Sequence, residues 1–189
     1  MQQAGKKKFW LVKFAPFRTS WDDIVKAGSF TPRGIRCPQA RNNLARMAVG
    51  DLALFFHSQE HRCFTGILTV TRAAYPDPTS ADPRWLTCDF APLQTLADPV
   101  SLAQIKSNPA LANFPLIRQP RVAVLPLTAF ECAAILRLAS TPFPAVPTAK
   151  QKPIATLVDR ILTAKRTNPA ADIISIETDL DALVNFRRR

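Results

Sequence analysis

Gly34 to Ser58, GIRCPQARNNLARMAVGDLALFFHS, holds the residues of this chain whose types and spacing point most directly to chemistry. Between Asp23 and Asp51 run five cations, Lys26, Arg33, Arg36, Arg41 and Arg46, with no carboxylate among them. Such a run sets up a local positive field, so an anionic ligand is expected there. The stretch then turns at Val49-Gly50-Asp51 into the aromatic and branched run Leu52 to Phe56, which reads as a buried strand ending on His57 and Ser58. A cationic segment and a polar strand end are thereby joined by one short connection. His57 and His61 stand at an i, i+4 spacing with Cys63 nearby. That spacing gathers metal ligands only on a helix, and here it links a strand end to a loop, so neither a metal site nor a cofactor is expected.

The elements around this stretch can be read from local signals. Phe9 to Lys13 has the aromatic and branched content of a first strand, stopped by Pro16. Ser20 offers an N-cap to a short helix from Trp21 to Ala27, closed by Gly28. Pro38 opens a helix over Gln39 to Met47, where its missing amide donor does no harm. Gly66 to Arg72 is the antiparallel return of the Leu52 strand, Tyr75 to Pro83 a proline-stiffened excursion, and Trp85 to Phe90 a resumed strand. A short helix over Ser101 to Lys106, an edge pairing at Val122 to Leu125, and a helix from Ala129 to Leu138 capped by Thr128 and Glu131 complete the main body. Ala139 to Pro153, with four prolines, reads as an extended linker to two short amphipathic helices, Ile154 to Lys165 and Asp179 to Phe186. Those two cannot stand alone and must pack on the body or on a partner.

Composition bounds the class. A chain of 189 residues with 47% apolar content can bury a core, and 25 Lys+Arg against 14 Asp+Glu leave +11, mostly before Pro144. That excess argues for a polyanionic partner, most often nucleic acid. Cys37, Cys63, Cys88 and Cys132 form no CxxC pair, so reduced thiols in the cytosol are expected, with no signal peptide and no membrane association. A mixed, largely antiparallel sheet of short strands with inserted helices predicts an α+β pseudo-barrel with a C-terminal helical extension.

Four motifs add to that reading: FWLVK, the central GIRCPQARNNLARMAVGDLALFFHS, GILTVTRAAYPDPTSADPRW, and VSLAQIKSNPALANFPLIRQPRVAVLPLT before a helix. In this order they resemble the EVE domain, a PUA-like fold related to the YTH readers. The resemblance covers roughly Lys8 to Ala139. It implies an EVE domain over residues 1–140, a Pro-rich linker over 141–153 and a helical extension over 154–189. It also implies a non-catalytic reader that holds one modified base of a nucleic acid against an aromatic wall, with cations on the neighbouring phosphates. Carried over position by position, it assigns Trp10 and Lys13 on the first strand, Arg36, Arg41 and Asn42 in the central segment, and His57 and Ser58 at the strand end. Trp85 follows the proline loop, and Arg118 and Arg121 match later basic positions.

The departures bear on the pocket. The family usually continues strand one with Ser-Glu-Pro, where this chain has Phe14-Ala15-Pro16, and it places a Trp before the central glycine, where this chain has Pro32. Cys37-Pro38 stands where Asn-Tyr is common. Phe14 or Phe30 is expected to restore the aromatic wall. The tail LVDRILTAKRTNPAADIISIETDLDALV is similar to the C-terminal helices of type II restriction-modification enzymes. That similarity implies a prokaryotic setting, a restriction-modification protein as partner through these helices, and modified cytosine or adenine in DNA as the mark. RNA binding, an ASCH-type nuclease or amidohydrolase, and a protein-docking accessory module are the alternatives. The hydrolase would need a Tyr or Lys beside carboxylates, and the single Tyr, Tyr75, lies in the proline loop.

Overall fold

FWLVKF and LALFFH are apolar at nearly every position, so both of their faces must be covered, as in parallel strands under helices. In the structure, a computed structural model that describes residues 7–144, 148–168 and 170–185, these two segments are β1 (Phe9–Phe14) and β2 (Leu52–His57). They pair in parallel, Phe9 opposite Leu52 and Phe14 opposite His57. A parallel pair needs a crossover, supplied here by α1 (Trp21–Ala27) and α2 (Pro38–Leu44). Both strands therefore deliver their C-terminal ends, Phe14 and His57, to the same end of the sheet.

From β2 the chain returns antiparallel along β3 (Cys63–Pro76) and β4 (Leu86–Ser101), while β5 (Val124–Leu127) pairs antiparallel with β1. The order β4-β3-β2-β1-β5 gives a mixed five-stranded sheet with helices packed around it, the α+β architecture expected. The caps form as read: Ser20 with Asp23, and Thr128 with Glu131 at the start of α5 (Ala129–Leu138), each close a capping box, and Gly28 ends α1 at φ +67°. The hairpin strands run longer than their alternation suggested. β4 continues through Pro92 and Pro99, which an edge strand tolerates because one of its hydrogen-bonding sides faces away from the sheet. Between β4 and β5 lie α3 (Leu102–Ser107), a single 3-10 turn and α4 (Pro115–Arg118).

The tail departs from the linker reading. Thr141 is buried, accepting the Ala97 amide at 2.9 Å and donating to the Ala139 carbonyl at 2.8 Å, and Phe143 meets Phe9 edge-on at 5.6 Å. Residues 139–144 are therefore docked on the body. Residues 145–147 and 186–189 lie outside the described residues. α6 (Thr148–Thr167) begins before Pro153 and takes it into its early turns, and α7 (Ile174–Val184) follows. Val158 and Ile161 of α6 and Leu180 and Val184 of α7 join the buried core, so both helices pack on α5. No helix among the described residues is long and apolar enough to cross a membrane.

Candidate nucleic-acid interface

The parallel strand ends gather half of the nominated residues. The Ser58 amide donates to the Phe14 carbonyl at 2.9 Å and seals the end of the β1/β2 pair. Lys13 is bound through its own amide to the Ala123 carbonyl at 2.7 Å, and its ammonium donates to the Pro120 carbonyl. Burial lowers the pKa of that ammonium. Gln39, in the first turn of α2, donates to the Gln119 side chain at 2.6 Å. These contacts bring Lys13, the start of α2 and the turn bearing Arg118 and Arg121 into one ridge, on which both arginines are exposed.

Phe14 and Phe30 do not form the aromatic wall expected of them. Their rings meet edge-on at 5.3 Å, Phe30 packs edge-on against Phe55 at 5.4 Å, and the Arg18 guanidinium sits 4.9 Å above Phe14. At 9% and 4% exposure they belong to the core, packed against each other, against Phe55 and Phe90 on the Phe30 side, and under Arg18 on the Phe14 side. His57 is likewise taken up by the fold: its Nε2 accepts the Trp21 amide at 3.2 Å. With Nε2 accepting, the imidazole carries its proton on Nδ1, a buried donor with no acceptor among the described residues, and burial first, then the neighbouring His61, lower its pKa.

Trp10 requires the clearest correction. It is 1% exposed and donates its indole N–H to Asp51 Oδ2 at 2.9 Å; the same carboxylate accepts the Lys8 amide at 3.0 Å and the Ala48 amide at 3.0 Å. A tryptophan satisfies its apolar body and its one donor together when a buried acceptor is in reach, and Asp51 at the start of β2 provides one. Trp10 thus lies toward the opposite end of the parallel pair from Ser58. Trp10→Phe is expected to destabilise by about 1–3 kcal/mol through the lost donor to a buried carboxylate, while leaving nucleic-acid affinity unchanged. Urea unfolding and anisotropy titration of the same variant check both halves.

The remaining residues converge on Trp85. It is half-buried, and the guanidinium carbons of Arg36 and Arg41 each lie 5.8 Å from its ring centroid. Arg41 is held by its exposed neighbour Asn42, whose Oδ1 accepts from Nη2 at 2.9 Å and Nε at 3.1 Å. Arg36 is held by a residue that the charge pattern does not reveal, Asp77. This carboxylate, fully shielded from solvent, accepts from Arg36 Nη1 at 2.7 Å, from the Gly34 amide at 2.9 Å, and from the Thr79 amide and hydroxyl at 2.9 and 2.7 Å. Burial alone would raise its pKa, but the bonds from Arg36, Thr79 and Gly34 hold it well below the usual carboxylate range. Gly34 meets this demand at φ +79°, a backbone setting that suits glycine. The Asp77 amide in turn donates to the Trp85 carbonyl at 2.8 Å, closing the proline loop on itself.

The stretch that lacks carboxylates in sequence therefore acquires one in space, and the positive field is spent in part on fixing Arg36. Asp77-Pro78-Thr79 carries a local signal for this, since an Asp that bonds the amide two residues on is a turn former. Chemically, the cluster offers a half-buried indole with two guanidiniums over its ring, suited to pairing with an anion and, once a guanidinium swings from the ring to that anion, to stacking a planar group. Of the aromatic residues nominated from sequence, Trp85 is the one that is not buried.

An EVE domain model matches residues 8–138. Human thymocyte nuclear protein 1 is 28% identical over 128 residues, 56% of this chain and 57% of that protein, so the chain spans little more than half of this relative's length. Among solved structures, a protein from Agrobacterium tumefaciens is 34% identical with a TM-score of 0.69, over 71% of this chain and 94% of its own. The human THYN1 protein, solved in complex with 5-methylcytosine-containing DNA, is 26% identical with a TM-score of 0.63, over 71% of this chain and 99% of its own. With strand order, central segment and proline loop in place over most of its length, the chain belongs to the EVE domain family.

Proposed function

We propose that this chain binds DNA carrying a modified base, modified cytosine before adenine, as a reader and not a catalyst, in a prokaryotic cytosol. The observation that carries the reading is the Trp85 platform flanked by Arg36 and Arg41. A lifted base stacks on the indole as a guanidinium now over the ring turns to its phosphate, an exchange the buried Phe14 does not permit, and the exposed Arg118 and Arg121 extend the cationic track. The complex of the similar human THYN1 protein with 5-methylcytosine-containing DNA supports DNA and cytosine as the first choice.

Binding is favoured over chemistry by what the acidic and phenolic groups are doing. The Asp77 oxygens are occupied by four donors. Tyr75 donates its hydroxyl to Asp89 at 2.7 Å, and burial together with that carboxylate pushes its pKa up. A restriction-modification partner finds support in the tail similarity alone, and α6 and α7 spend buried apolar side chains on α5.

The test is a titration panel at fixed salt: duplexes and single strands bearing 5-methylcytosine, other modified cytosines or modified adenine, their unmodified twins, and a structured RNA. A modified DNA is expected to bind more tightly than its twin. Trp85→Ala should remove that difference, because stacking contributes about 1–3 kcal/mol per base. Arg41→Ala should weaken both members equally and reduce the salt slope by about one. Equal affinity across the whole panel would leave a nonspecific basic protein.

A further inference from the structure

Phe17 is 68% exposed, yet it stands on a hydrogen-bonded turn that Arg18 ties to the Gly34 segment. The Ala15 carbonyl accepts both the Arg18 amide at 3.0 Å and the Thr19 amide at 3.3 Å, and Pro16 stiffens the approach. Behind the turn, the Arg18 side chain reaches back twice, stacking 4.9 Å above the buried Phe14 and donating to the Arg33 carbonyl at 3.4 Å. Its guanidinium lies 3.3 Å from where a Cβ on Gly34 would stand, which fastens the turn to the segment that Asp77 holds beside Trp85. A lone apolar residue on a loose loop needs no explanation. A phenyl ring exposed on a turn held by these bonds, with Lys13 and Arg18 near it in the chain and Arg33 tied to Arg18 through its carbonyl, is suited to entering a base stack beside phosphates.

Lifting a base out of a duplex leaves a gap in the stack, and proteins that keep a duplex open or kinked commonly slide an apolar side chain between the base steps. We propose that Phe17 is that wedge: it enters the duplex where the modified base has left it, which makes double-stranded DNA, not a single strand or a free nucleoside, the ligand class. The inference rests on the modified-base reading of the Trp85 site.

The experiment measures anisotropy at fixed salt with a 5-methylcytosine duplex, its unmodified twin and the 5-methylcytosine single strand, using the full chain and its Phe17→Ala and Phe17→Trp variants. Thermal melts establish that each variant is folded, as an exposed position permits. Phe17→Ala is expected to lose about tenfold in duplex affinity, the scale of one lost stacking contact, and to bind the single strand unchanged, with Phe17→Trp restoring the duplex. 2-Aminopurine beside the modified base should change its fluorescence on binding the wild-type chain and not on binding Phe17→Ala. An unchanged duplex affinity, or an equal loss on duplex and single strand, overturns the wedge while leaving the Trp85 reading intact. A wild-type chain that does not distinguish the modified duplex from its twin overturns the reading and the wedge together.

Discussion

Asp77→Asn is expected to destabilise the chain by about 3 kcal/mol and to remove modified-base preference in the same step. The carboxylate takes four hydrogen bonds from three residues, Gly34, Arg36 and Thr79, and an amide can match only some of those donors. Its own NH2 group would face either Arg36 and the Gly34 amide, which share one oxygen, or the Thr79 amide at the other, placing donor against donor in both cases. The loss stays near the low end for a broken buried pair because Arg36 is 35% exposed and can rehydrate. Freed from Asp77, Arg36 no longer holds its place beside Trp85.

The pH dependence carries a sign. A carboxyl whose pKa is lowered on folding contributes stability that is present in full above its unfolded value, about 4, and is lost as pH falls toward its folded value. Wild type and Asp77→Asn should therefore differ in urea midpoint at pH 7 and converge as pH drops below about 4. A constant gap across that range would mean that Asp77 is not held as a carboxylate by these donors.

Gly66→Ala is expected to cost about 3 kcal/mol or more through overpacking. A Cβ at position 66 would stand 2.0 Å from Trp21 Cζ2 and 2.2 Å from Cη2, far inside contact distance. The indole cannot step aside easily. Its Nε1 donates to Thr95 at 3.0 Å, its ring packs on Phe55 at 5.7 Å, and its amide donates to His57. If the clash is the cause, Trp21→Ala in the same chain should make Gly66→Ala nearly free, and a double-mutant cycle on urea midpoints measures that coupling. Additive losses would place the cost in the backbone at Gly66 instead.

Local chemistry made much of this fold legible. The capping boxes at Ser20 and Thr128, Pro38 at the head of α2 and the turn before β2 each involve residues within a few positions of one another, so the sequence displays both partners. Long-range pairing is where reading failed. Trp10 and Trp85 are the same residue type on or beside strands, and what separates them is a buried acceptor 41 positions away for one and two arginines for the other. Asp77 lies 41 positions from Arg36, so a count of charges along the central stretch missed its counter-ion. Proline density misled in residues 139–144 and 148–153 for a related reason. Proline removes a donor yet fits an edge strand, as Pro92 and Pro99 do, and stands inside a helix, as Pro153 does in α6, where the packing of the later turns outweighs one missing backbone bond.

The family match stops at residue 138, in the last turn of α5, but the cohesion of the molecule does not stop with it. Ile154, Val158, Ile161, Leu180 and Val184 are buried where α6 and α7 pack against that helix. Scissors applied at the homology boundary would bare a greasy seam, and such a fragment would clump by virtue of the cut. Its stoichiometry and its stickiness toward DNA would then describe the wound, so the ligand chemistry of this chain has to be measured on the uncut polypeptide.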